Sequence, residues 1–283
     1  MKKFEFTGET KTINLLFRTA TLHRIKAVVE FGLVKVGDLG GWIEKEENLS
    51  HEGKAWVCGN AEVWGNAEVW GNAEVWGNAK VCGDAKVCGN AEVCGDAEVW
   101  GNAKVCGNAK VCGDAKVCGD AKVWGNAKVC GNAEVCGDAK VFSTDHVLVI
   151  GAIGSRDDFT TFFRDKDNEI TVKCGCFLGK IDKFLEKVTQ THKDTKYALV
   201  YRAAVEVAKL QIDLSLTKPL EVGDKVRIIS AEENDKTRNW NDAMEKYLGT
   251  VMTVKEVLNH GYSMEEDQGA WFWDTFRIAG KVE

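Results

Sequence analysis

A mainly β protein is predicted, a left-handed parallel β-helix followed by a small α+β domain and a small β-barrel, and three observations predict it. From Ala55 to Phe142 a six-residue unit, Ala-[Glu/Lys]-Val-[Trp/Cys]-Gly-[Asn/Asp], recurs without an insertion. After Phe142 the period stops, and short apolar runs lead into two stretches with helical spacing. Beyond the only proline, Pro219, strand-like runs return with aromatic residues in alternate positions. The divisions this gives are an N-terminal cap over 1–54, the β-helix over 55–142, the α+β domain over 143–216 and the barrel over 217–283.

The repeat follows from elementary geometry. Ala61 and Val63 lie two residues apart and so point to one side of an extended strand, while Glu62 and Trp64 point to the other. Gly65-Asn66 then supplies the two residue types most tolerant of turn conformations. Short strands of fixed length between identical corners wind into a solenoid. A triangular coil takes three units, about 18 residues, which is the arithmetic of the left-handed β-helix, an exception to right-handed crossovers.

Stacking at that period sorts the outward residues into columns about 4.8 Å apart. One column reads Glu62, Lys80, Glu98, Lys116, Glu134, alternating in sign at every step. A second, Glu68, Lys86, Lys104, Lys122, Lys140, is a lysine stripe whose plain reading is a solvated face and whose other reading is a local anion site. Trp64, Trp70, Trp76, Trp100 and Trp124 share their columns with nine cysteines. Large apolar groups on a lateral surface usually have something to bury them, so these tryptophans are candidate contacts for self-association, making the chain an expected homo-oligomer, or for docking of another domain. The alternative is a solvated prism with scattered tryptophans.

An aliphatic residue followed four positions later by a small one, Val57 with Ala61 and onward to Val135 with Ala139, resembles the hexapeptide repeats of left-handed β-helix proteins. The departure is the position after the aliphatic residue, often Gly in that family and here Trp or Cys, with Gly one later. The run from Val36 to Ser50 leading into Ala55-Trp56-Val57 resembles YdcK-like hexapeptide proteins common in phage and prophage genomes. Gly154-Ser155-Arg156, Cys174-Gly175-Cys176-Phe177, Gly179, Phe184 and His192 resemble a segment that often follows the array in those phage proteins. That resemblance implies a phage accessory protein, and some members of the group carry a transferase label taken from the fold.

Composition narrows the function classes. The net charge is -6 and no segment is a polycation, which disfavours nucleic-acid binding through bulk charge. No apolar run approaches the length of a membrane span, and MKKFEFTGET lacks the apolar core of a signal peptide, so a cytoplasmic protein in a bacterial host, with reduced thiols, is expected. The repeat cysteines follow the period and give no disulfide framework, although column neighbours such as Cys94 and Cys112 come close enough to oxidise in vitro.

Beyond the repeat, Val147–Ile150, Thr160–Arg164 and Ile170–Cys174 read as strands, with a turn over Asp165–Glu169. Ile181–His192 and Tyr197–Ile212 carry apolar residues at helical spacing. This segment holds the one constellation that reads as a ligand site: Gly154, Ser155, Arg156, Cys174, Cys176 and His192. Backbone N–H groups and a guanidinium after a strand suit a phosphate or carboxylate. Each member also has an ordinary reading: Gly-Ser-Arg as a turn, Cys-x-Cys as too few ligands for zinc, and His192 as a partner of a helix C-terminus. No metal and no cofactor is assigned. From Val222 onward, strand-like runs with a short helix between Trp240 and Tyr247 resemble a small SH3-like β-barrel. Trp271, Phe272, Trp273 and Phe276 are then core residues, and alternatively a binding surface.

Three functions compete. A hexapeptide acyltransferase needs a general base, usually His, beside a groove between coils, yet the array contains no His, and His51 and His146 only flank it. A non-enzymatic binder would use the β-helix to oligomerise and the C-terminal segments to hold a small anionic ligand or a host protein, with nucleotide sequestration against host defence as one form. A purely structural scaffold is the third. The binder is favoured.

Overall fold

A computed structural model describes residues 2–15, 18–214, 222–228, 242–258, 261–271, 273 and 278–281. The chain divides into two compact units, Met1–Asp213 and Leu214–Glu283.

The first unit is built on a parallel β-solenoid. Fifteen two-residue strands, from Trp56–Val57 to Lys140–Val141, fall into three sheets, each interior strand pairing in parallel with those 18 residues before and after it. Every repeat Ala and Val between Ala55 and Val141 is buried, giving one continuous aliphatic core. The outward residues donate their N–H to the next coil, as in Glu62 to the Ala79 carbonyl at 2.9 Å and Trp64 to Val81 at 3.0 Å. The glycine one position later than the usual hexapeptide pattern has a steric cause. Gly89 sits at φ 70°, and a Cβ there would lie 2.9 Å from the backbone nitrogen of Gly107 in the next coil. Only glycine satisfies both the left-handed backbone and that approach.

Many of the Asn and Asp after the glycines form ladders as well as turns. Asn72 Nδ2 donates to Asn90 Oδ1 at 3.1 Å, Asn90 to Asn108 at 3.0 Å and Asn108 to Asn126 at 3.1 Å. Stacked identical amides satisfy one another in this way wherever parallel strands are in register.

Both open edges of the solenoid are covered. At the start, β1 (Phe4–Asn14), β2 (Thr19–Ala27) and β3 (Leu39–Ile43) form an antiparallel run whose last strand pairs in parallel with Glu62–Val63. The buried Asn48 donates through Nδ2 to the Ala67 carbonyl at 2.7 Å, and Lys3 Nζ donates to the Ala55 carbonyl at 2.7 Å. Burial lowers the Lys3 ammonium to about 8. At the far end lies an antiparallel sheet of Val147–Ile153, Asp158–Arg164, Ile170–Cys174 and Phe177–Lys180. Its Thr161 hydroxyl accepts the Glu134 N–H at 3.0 Å, Ala139 bridges Asp165, and Phe163 enters the solenoid core. Arg164 lies 5.0 Å over the Phe142 ring, which stacks on Trp124 at 4.5 Å. Helices α1 (Ile181–His192) and α2 (Lys196–Gln211) pack on this sheet.

The second unit has an antiparallel sheet with Lys225–Ile228 flanked by Val251–Leu258 and Ile278–Lys281, and Gly261–Met264 outside Val251–Leu258. Trp273 is fully buried, its Nε1 donating to Asp267 at 2.6 Å, and Trp271 packs against the same core. Pro219, Trp240, Phe272 and Phe276 lie outside the described residues.

Candidate functional site

The strand Val147–Ile153 ends in a single 3-10 turn, Gly154–Arg156, closed by Asp157 at φ 48°. Gly154 is required there because a Cβ would stand 1.9 Å from the Tyr201 hydroxyl. Tyr201 reaches in from α2 and is the hub of the constellation. Its hydroxyl lies 3.9 Å from Cys174 Sγ and is hydrogen-bonded by Ser155, and its ring meets His192 at 5.7 Å and Phe184 at 5.5 Å. Burial, reinforced by Cys174, pushes the phenol above its ordinary range. Gly154, Ser155, Cys174 and His192 thus gather around one side chain that sequence reading treats only as an apolar helix position. The available signal was a tyrosine where a leucine would serve packing equally well.

The other two candidates part company. Gly175 and Cys176 are the two-residue turn of a hairpin in which Cys174 pairs with Phe177, so Cys176 faces solvent. Among the described residues no group of three or more His, Cys, Asp or Glu is placed to hold a metal ion. Arg156 instead folds over this turn: a Cβ on Gly175 would lie 2.2 Å from its Nη1. Gly175, at φ 55°, is therefore the seat of a guanidinium.

Beyond Gly175 opens a cleft of about 560 Å³ between one solenoid face and the antiparallel sheet of residues 147–180 that follows the array, the C-terminal sheet of the first unit. The alternating column supplies Glu98, Lys116 and Glu134, the corner ladder supplies Asp96, Asp114 and Asn132, and the sheet supplies Asp158, Phe159, Thr161, Lys173 and Gly175. Lys173 ties the two walls together, pairing with Glu134 at 2.9 Å and donating to the Gly175 carbonyl. Burial works against its charge, but the Glu134 pair outweighs this and holds its pKa above the ordinary value. The same column is closed at the other end by Lys11, 2.7 Å from Glu62. The column is legible in the periodicity but the cleft is not, because the opposite wall comes from a hairpin distant in the chain.

The flanking histidines are engaged by neighbouring groups. His51 Nδ1 accepts the Lys3 N–H at 3.0 Å while Nε2 meets Glu46 at 2.8 Å. His146 accepts the Phe142 N–H at 3.1 Å, and burial, followed by the charge of Arg164, lowers its pKa to about 4.

No protein-family model and no curated protein matches the chain. The site is therefore read from its own geometry.

Trp64, Trp70, Trp100 and Trp124 lie half-buried along the solenoid sides, and Trp76 is 42% exposed. Lys86 and Lys122 each sit 5.6 Å over a ring, those of Trp70 and Trp124. Among the described residues no helix is long and apolar enough to cross a membrane.

Proposed function

We propose that the chain is a non-catalytic binding protein that holds a small ligand at the mouth of the cleft, with Arg156 as the partner of the ligand's anionic group. The observation that carries this reading is the Arg156 guanidinium laid over Gly175, which itself lines the cleft, with no carboxylate paired to it among the described residues. Guanidinium–phosphate and guanidinium–carboxylate bonds are charge-assisted and directional. The Gly154–Arg156 turn beside it and Lys173 in the cleft lining suit the same class of ligand. The resemblance to phage and prophage hexapeptide proteins supports placing this capture in a contest with host defence, where a nucleotide signal is a fitting ligand.

A second reading is favoured by the cleft walls. Asp96, Glu98, Asp114, Glu134 and Asp158 outnumber Lys116 and Lys173, so the interior suits an amine-bearing ligand better than a polyanion. The engagement of His51 and His146 by neighbouring groups supports non-catalytic readings over an acyltransferase. The exposure of Trp76 supports lateral self-association through the solenoid.

Native mass spectrometry and titration calorimetry with nucleotides and with polyamines separate these readings. A nucleotide that binds, and whose affinity falls roughly ten- to a hundred-fold in Arg156→Ala, is expected from losing a charged hydrogen bond. Unchanged affinity in that variant overturns the anion site. Polyamine binding lost in Glu98→Gln selects the second reading, and no binding by either class selects a scaffold.

A further inference from the structure

The repeat cysteines form ladders. Parallel register places the residue after each Val directly over its counterpart 18 residues on, so cysteines in successive coils stack in line. Cys112 Sγ lies 2.7 Å from Cys130 Sγ, and Cys118 Sγ 2.9 Å from Cys136 Sγ. Those separations fall well inside the roughly 3.5–4 Å at which unbonded heavy atoms settle. Adjacent parallel strands hold their Cα atoms about 4.8 Å apart, within the span of roughly 4.4–6.8 Å that a disulfide bridges. The backbone under both pairs is fixed by inter-coil bonds, from Cys112 N–H to the Val129 carbonyl and from Cys118 N–H to Val135, each 3.0 Å. Bond formation then needs each pair of sulfurs to close from these separations to about 2.05 Å.

We propose that Cys112–Cys130 and Cys118–Cys136 are two modification sites, each oxidised to an inter-coil disulfide by a low-molecular-weight disulfide such as oxidised glutathione. The inference is independent of the ligand reading. In the Cys118–Cys136 pair, the Cys118 thiolate attacks one sulfur of oxidised glutathione, breaking its S–S bond and expelling one glutathione thiolate. Cys136 then loses its proton to solvent and attacks the Cys118 sulfur, and the second glutathione leaves as a thiolate. Two protein thiols are oxidised, and one small disulfide is reduced to two thiols.

The surroundings set the order of attack. The hydrogen bond shared with Cys136, opposed by burial, holds the Cys118 thiol below its ordinary range, while Cys136 is pushed up by the same bond and by burial. A stabilised thiolate is the nucleophile in such exchange. In the other pair Cys130 is the exposed member, and burial and Cys112 push its thiol up to about 12, so exchange there starts more slowly than at Cys118. Cys118 and Cys136 also stand two residues from Lys116 and Glu134, so the second crosslink fastens together two coils that line the cleft.

The test is to incubate the reduced full-length chain with oxidised glutathione, then count free thiols after denaturation and weigh the product. The expected product carries the crosslinks Cys112–Cys130 and Cys118–Cys136, located by peptide mapping, each with loss of two hydrogens and no retained glutathione, so the free-thiol count falls by at least four from the eleven cysteines of the sequence. Cys112→Ser and Cys118→Ser should each lose one pair only, and the double variant should lose neither. Tryptophan occupies the same repeat position in other coils, so the site accepts substitution. Oxidised wild type should also unfold at higher urea than reduced wild type and revert with dithiothreitol. A wild-type count that stays at eleven, stable glutathione adducts in place of pairs, or equal thiol loss in the double variant overturns the proposal.

Discussion

The corner glycines carry two separable demands, and substitution distinguishes them. Gly89→Ala meets both a left-handed φ and a backbone nitrogen 2.9 Å away, whereas Gly131, at φ 67°, has nothing within 4 Å of the added carbon. Strain at an unfavourable φ costs of order 1–3 kcal/mol, and a clash adds to it. Gly131→Ala is therefore expected to lose about 1 kcal/mol and Gly89→Ala clearly more, read as the difference in urea midpoints. His146 supplies a pH signature at the same scale. Its folded pKa, about 4, lies below the unfolded value of 6.5, so the fold favours neutral imidazole. Its contribution is complete above pH 6.5 and is lost as pH falls toward 4, amounting to roughly 3 kcal/mol by linkage. Replacing it with Asn keeps an acceptor for the Phe142 N–H and removes the titration. His146→Asn should flatten the fall in melting temperature between pH 6.5 and 4 relative to wild type.

At the scale of elements, a ladder is worth more in its middle than at its end. Asn90 accepts from Asn72 and donates to Asn108, while Asn126 only accepts from Asn108. With each such bond contributing on the order of 1 kcal/mol or less at an exposed corner, Asn90→Ala should destabilise about twice as much as Asn126→Ala in urea melts. Elements of this kind differed in how well the chain declared them. The solenoid strands and helix α1 were legible because a strict alternation and a helical apolar stripe each have one structural solution. The strand Phe177–Lys180 was not, because Cys174-Gly175-Cys176-Phe177 reads as a ligand motif until the pairing of Cys174 with Phe177 makes it a hairpin. Tyr201 was legible as helix and illegible as hub, since its hydroxyl partners, Ser155 and Cys174, come from distant strands.

For the molecule as a whole, the two coverings decide whether the solenoid stays a single particle. Unpaired parallel strands recruit further strands, and the C-terminal sheet blocks this through Thr161, Phe163 and Asp165. A chain ending at Phe142 is expected to self-associate end to end, seen as early elution in size-exclusion chromatography, and elution as a defined small species would refute that role for the sheet. The cleft belongs to this scale too: its walls are a solenoid column and a hairpin, and only the length of the array brings Glu134 opposite Lys173. Periodicity thus revealed the column, and long-range docking hid the site. The three-sheet register has an evolutionary corollary. Gain or loss of 18 residues in the array adds or removes one full coil and returns the C-terminal sheet to the same side of the shaft as the N-terminal hairpin. Gain or loss of a single six-residue unit swings it by about a third of a turn. Recombination among near-identical repeats can therefore lengthen this protein freely in one step size, while the other step size presents the cleft in a new direction.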